Sequence, residues 1–210
     1  MDEFSYFFSF FGLILGLTLA EVASKFADAI DAHRRRPIGL LTPLLAAFVL
    51  FDIASFWIWT WSMRSSVHVT WGLLMGALSV SIAYFLSASL IFPRSAGEWT
   101  SLDDHYWQRK RQVLAGVLFA NLTLIGILLS RALPEWTDGW FFFWQGLYYV
   151  PLAALWFSRS KRVDLILLTF LVIQYQLPYT GIFPGSQWGN AAGVNGEAAK
   201  AATIANVTSK

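Results

Sequence analysis

The chain alternates between long apolar runs and short polar breaks. Six runs stand out: Phe4 to Ala23, Leu40 to Met63, Val69 to Phe92, Val113 to Leu133, Gly139 to Phe157 and Val163 to Leu177. A hydrocarbon core of about 30 Å is crossed by about 20 helical residues. All six runs are long enough to predict a crossing, the sixth being the shortest. Pro37 and Pro43 mark the entry to the second run. Pro93, Pro134 and Pro178 close the third, fourth and sixth, because proline lacks the amide donor and disfavours helix just before it. The pattern predicts an all-α, polytopic bundle of six transmembrane helices over residues 1–178, followed by a tail over 179–210.

The breaks set the direction. Lys25, Arg34, Arg35 and Arg36 fall in the first, Arg94, Arg109, Lys110 and Arg111 in the third, and Arg159, Lys161 and Arg162 in the fifth. Arg64, Arg131, Lys200 and Lys210 fall on the other side. Cytoplasmic loops collect Lys and Arg, so the odd-numbered breaks are expected inside. Both termini are then expected on the outer, periplasmic side. The opening MDEFSYFFSF lacks a basic segment and reads as a retained first helix rather than a cleaved signal.

Composition agrees. The 210 residues are 56% hydrophobic and 13% charged, against about a quarter charged in soluble domains. With no cysteine, disulfides, thiolate metal sites and iron–sulfur clusters are excluded. The net charge of +2 does not imply nucleic acid, since the basic residues stand at helix ends where topology places them.

Asp52 lies within FDIASFWIWTW, about 18 Å along the second helix at 1.5 Å per residue. A carboxylate at mid-bilayer costs at least about 2.5 kcal/mol, so it is expected to face protein or water. Ser55, Trp59 and Ser62 follow it at helical spacing. Thr18 and Asn121 stand at similar depth and are the candidate partners. Two roles remain open for Asp52, a titrating or ion-binding group and a hydrogen-bonded clamp between helices.

Other residues suggest packing. Gly12, Gly16 and Ala20 on the first helix, and Gly72 and Gly76 on the third, recur every fourth position. Small residues at that spacing let helix backbones approach closely in a membrane. Trp57, Trp59, Trp61, Trp140 and Trp144 gather toward the expected outer face. They suit interfacial anchoring, or a surface for a protein partner, lipid, pigment or quinone. No cofactor is predicted outright.

The segment SLDDHYWQRKRQ carries Asp104, His105 and Arg109, which would suit acid–base or phosphate chemistry. No further motif completes a catalytic set, and Ser101 with Asp104 reads as a helix start. No catalytic or metal-ligating residue is assigned, because the three histidines, His33, His68 and His105, do not pair at one depth.

LGLTLAE, a basic RRRP turn, LLAAFVLFDIASFWIWTW and DDHYWQRKR follow one another between residues 10 and 130. In this order the chain resembles a group of small bacterial six-span membrane proteins of unknown function. The resemblance implies a bacterial inner membrane and a self-contained bundle, and brings no activity with it. Two functions are expected. The first is a non-catalytic subunit or scaffold that meets other membrane proteins through its outer aromatic face and its tail. The alternative is a small channel or proton-coupled transporter built on Asp52.

Overall fold

The structure is a computed structural model, and it describes residues 3–32, 39–64, 68–93, 101–130 and 133–177. Six helices occupy these residues: α1 (Glu3–Ala32), α2 (Leu41–Ser62), α3 (Trp71–Ile91), α4 (Leu102–Leu129), α5 (Gly139–Phe157) and α6 (Lys161–Gln174). Among the described residues there is no strand. The tail expected over 179–210 lies outside the described residues, as do Arg34, Arg35, Arg36 and Arg131.

Helices α1 to α4 are each long and apolar enough to cross a membrane. Of the six expected crossings, with the sixth the shortest, α5 and α6 are not among these four. Helix α5 has 19 residues, many of them aromatic, and encloses Pro151. Helix α6 has 14 residues and rises only about 21 Å, short of the hydrocarbon thickness. It ends at the depth of Asp52, because Tyr175, its C-cap, bonds to that carboxylate.

Helix α4 begins 11 residues before the apolar run that announced it. Ser101 caps it by accepting from the Asp104 amide at 3.2 Å and donating to the Asp104 carboxylate at 2.8 Å. The polar first three turns are therefore helix rather than loop. Helix α1 likewise continues through its charged end to Ala32. Thr70 and Asp138 cap α3 and α5 in the same way, accepting from the amides of Leu73 and Phe141. Helix α2 starts after Gly39, whose φ of 68° lies in the left-handed region. A Cβ there would lie 2.1 Å from Asp103 Oδ1, so the turn admits only glycine.

The helices run alternately up and down. At one end Thr42 donates to the Leu102 carbonyl, His105 meets the Leu90 carbonyl and Lys161 pairs with Asp103. This is the basic end. At the other, Phe4 packs on Trp61, and Trp59 packs on Met63, Leu128 and Phe141. This is the tryptophan-rich end. Helix α2 is the hub, touching α1, α3, α4 and α6. Helices α3 and α4 make the most extensive pairing, while α5 and α6 pack together on the far side of α2. Phe11, Leu15, Phe48, Ile53, Tyr84 and Leu171 are among the buried side chains at the centre. Leu13, Leu17, Leu86, Leu122 and Ile166 point outward, as expected where lipid is the solvent.

The glycines divide. A Cβ on Gly12 would touch the Trp57 ring at 3.0 Å, and one on Gly76 would touch Ile127 at 3.2 Å. Nothing lies within 4 Å of a Cβ on Gly16 or Gly72, and Ala20 is exposed. Gly72 is exposed and Gly16 half-buried, so neither marks a close helix approach among the described residues. The closest approach is instead at Gly116, where a Cβ would lie 1.9 Å from Ser87 Oγ and 3.1 Å from the Ala83 carbonyl. Only a glycine lets α4 sit this near the α3 backbone.

At the basic end a second polar cluster is buried. Lys110 Nζ bonds to Asp164 at 2.7 Å and to the Ser158 carbonyl at 2.6 Å, and Tyr106 donates to the same Asp164 oxygen at 2.8 Å. Lys110 also lies 4.4 Å from the centre of the Trp107 ring. These bonds fasten α4 to the end of α5 and the first turn of α6.

Two outcomes are expected in thermal unfolding in detergent. Gly116→Leu destabilises by about 1–3 kcal/mol through overpacking, or prevents folding, while Gly16→Leu leaves the midpoint unchanged. Lys110→Met strands a buried carboxylate and costs about 3–5 kcal/mol, most of which the double variant Lys110→Met, Asp164→Leu restores.

Candidate functional site

Asp52 is 2% exposed and accepts four hydrogen bonds. Oδ2 accepts from the Tyr84 hydroxyl at 2.9 Å and from Asn121 Nδ2 at 2.9 Å. Oδ1 accepts from the Tyr175 hydroxyl at 2.6 Å and from the Tyr148 hydroxyl at 3.2 Å. The donors come from α3, α4, α5 and the end of α6, and all four are neutral. A carboxylate accepts through both oxygens, with about four lone-pair sites in all. These donors fill that capacity.

Each donor is held in place. Tyr84 is fully buried and its ring packs 5.9 Å from Phe56. Asn121 also donates to the Val117 carbonyl one turn earlier at 3.0 Å, which fixes its amide orientation. The Phe48 ring lies 6.4 Å from both Tyr148 and Tyr175 and stands one turn below Asp52 toward the basic end. Pro151, with no amide hydrogen, leaves the Leu147 carbonyl without its helical donor, next to Tyr148.

A cavity of about 360 Å³ opens beside the carboxylate. Its lining includes Asp52, Ser55, Trp59, Asn121, Trp144 and Tyr148, with Tyr149 and Tyr175 also on the wall. Ser55 and Trp59 lie one and two turns from Asp52 along α2, and Leu128 lies two turns beyond Asn121 on α4. The cavity therefore runs from Asp52 toward the tryptophan-rich end. Toward the basic end the buried side chains Phe48, Leu45, Leu168 and Leu171 replace it.

Of the residues singled out in the sequence, Asp52 and Asn121 are brought together directly, and Ser55 lines the same cavity while donating to the Asp52 backbone carbonyl at 2.8 Å. Thr18 is not part of the site. It is buried, but its hydroxyl turns back to the Ile14 carbonyl at 2.9 Å, the usual bond for a threonine within a helix. The five tryptophans do not share one surface. Trp57 and Trp61 pack against Phe8 of α1, Trp59 and Trp144 line the cavity, and Trp140 is partly exposed beside Phe143. Asp104, His105 and Arg109 do not form a catalytic set. Asp104 belongs to the α4 cap, His105 meets the Leu90 carbonyl and Arg109 donates to Gln112. Among the described residues no group of His, Asp and Glu has the arrangement of a metal site.

Three site residues, Tyr84, Tyr148 and Tyr175, were missed in the sequence. Their signal was position. Tyrosine in membrane proteins gathers at interfaces, and these three phenols stand well inside their helices or at the depth of Asp52.

Removing one donor from a filled buried carboxylate costs about 1–3 kcal/mol. Tyr175→Phe and Tyr84→Phe are each expected to lower thermal stability by that amount. Tyr149→Phe, on the same cavity wall without a bond to Asp52, is expected to leave it unchanged.

The chain is similar to a bacterial membrane protein. It is 31% identical over 130 residues to the inner membrane protein YccS of Escherichia coli (strain K12), an alignment that covers 58% of this chain. It covers 18% of that protein's length, so the similarity concerns one segment of a much longer relative. No family profile matches the chain, and no solved structure does. Four apolar membrane-length helices together with this similarity bear out the resemblance to bacterial membrane proteins of unknown function.

Proposed function

We propose that this chain is a small transport component of the bacterial inner membrane, organised around Asp52. The observation that carries the reading is the filled carboxylate at the closed end of a one-sided cavity. Intramembrane acids are costly, and where they line a cavity they mark ion and substrate paths. A site reached from one end and sealed by packed side chains at the other is what one state of an alternating-access protein requires. The short α6 adds to this. A helix that stops at mid-depth, with its end at the ion-binding residue, is a recurrent feature of transporter sites.

The orientation follows from the basic residues. With the basic end placed in the cytoplasm, the start of α1 and the cavity face the periplasm. Helices α5 and α6 then count as the fifth and sixth membrane segments, α6 as a half-crossing packed on α2 and α5 rather than exposed alone to lipid.

The second reading, a non-catalytic subunit of a larger assembly, draws on different residues. Gly16, Ala20 and Gly72 leave small-residue faces unpacked, which is the surface a helix from another chain would use.

The transport reading is tested in liposomes holding the purified protein, an internal pH dye and an imposed potassium diffusion potential. The expected result is proton entry above that of empty liposomes. Asp52→Asn, which keeps the shape of the side chain and removes its charge, is expected to bring entry down to the empty-liposome level while the protein remains folded. Proton entry equal in both proteins removes Asp52 from the path and overturns the reading.

A further inference from the structure

We infer that the cavity beside Asp52 is a binding site for a small organic ammonium ion. The inference rests on the transport reading for its place in the membrane and goes further by naming the ligand class. It follows from four features.

The first is charge. Asp52 is buried, and all four of its partners are neutral. Among the described residues no Lys, Arg or His lines the cavity. A carboxylate in a medium of low dielectric is strongly favoured by a nearby positive charge, and the described residues supply none there. An anionic ligand, conversely, would meet a carboxylate and find no cationic side chain.

The second is the end of α6. Its last carbonyls carry the negative end of the helix dipole. The hydroxyl of Tyr175, the C-cap, reaches Asp52 Oδ1, so this negative end stands within one side-chain length of the carboxylate.

The third is the wall. Trp59, Trp144, Tyr148, Tyr149 and Tyr175 bring five electron-rich rings to one cavity. Ring faces attract cations within about 6 Å, most strongly where water is excluded. The tyrosine oxygens that donate to Asp52 also keep lone pairs for a positive group.

The fourth excludes a bare metal ion. Calcium takes six to eight oxygen ligands and magnesium an octahedral set. Here the single carboxylate is already filled by donors, and the rest of the wall is mostly ring and aliphatic surface. A poorly hydrated organic cation matches that surface. The volume of about 360 Å³ stands at the lower end of the range for small-molecule sites.

The test uses the full chain in nanodiscs of zwitterionic lipid and titration calorimetry with two probes that share a ring, benzyltrimethylammonium and benzoate. The expected result is saturable binding of the ammonium ion, one per chain, and none of benzoate. Asp52→Asn and Trp144→Leu are each expected to weaken it about tenfold, and Trp61→Leu, outside the cavity, to leave it unchanged. Benzoate binding as tightly as the cation overturns the proposal, as does absence of ammonium binding to the folded wild-type protein. So does binding that neither cavity variant weakens. The proton-flux assay separates the two readings. Asp52-dependent flux without ammonium binding overturns the ligand class and leaves transport standing. Asp52-dependent ammonium binding without flux keeps the site and removes transport.

Discussion

A carboxylate cannot be left bare in hydrocarbon. Everything at the centre of this bundle answers that constraint. Asp52 sits on α2, which touches four other helices, and four neighbouring segments each send one donor to it. The donors differ in how they are held. Tyr84 is locked in the core, Asn121 is tied to its own helix, Tyr148 stands beside the proline break of α5, and Tyr175 ends α6. A shift of any of these helices changes the solvation of one buried group. Geometry at the site and packing of the bundle are therefore one problem, because the hydrophobic effect does little to hold membrane helices together.

The two buried polar clusters divide the work. At the basic end Lys110 and Asp164 neutralise each other, with Tyr106 and the Ser158 carbonyl filling in. That cluster is closed in charge and fixes α6 at its first turn. At mid-depth Asp52 is closed in hydrogen bonds and open in charge, and it meets α6 at its last residue. Helix α6 is thus pinned at both ends by polar bonds while its sides rest on α2 and α5. Between the two anchors the buried side chains are mostly apolar, such as Leu168 and Leu171, with Gln174 the buried polar exception beside Tyr175.

Much of this was legible in the sequence, for reasons that can be named. Apolar length located α2, α3 and α5 almost to the residue, since lipid imposes a length on any helix that crosses it. The cost of an intramembrane charge picked out Asp52, and helical depth picked out Asn121. Depth failed for Thr18, because a hydroxyl in a helix can satisfy itself on the preceding turn. It also said nothing of how close neighbours come, so Gly16 and Gly72 looked like packing residues although no side chain reaches them, and Gly116, outside any repeat, was overlooked. Hydropathy placed α4 only from Val113, because its first turns are polar, while the Ser101 and Asp104 cap signal marked where the helix begins. Lys110 and Asp164 are 54 residues apart, one in a polar break and the other at the start of the sixth apolar run, and nothing local ties them together.

The spacing of the Asp52 donors along the chain has a consequence for biogenesis. Tyr84, Asn121, Tyr148 and Tyr175 lie 32, 69, 96 and 123 residues after the acid they serve. Synthesis proceeds from the N-terminus, so α2 is delivered before any of its partners exists. The carboxylate must wait near the translocation machinery or in a watery crevice and gain its donors one helix at a time. The last arrives only with the end of α6. A nascent chain halted before α5 holds Asp52 with two of its four donors, so the solvation of this one group is complete only when the whole bundle is.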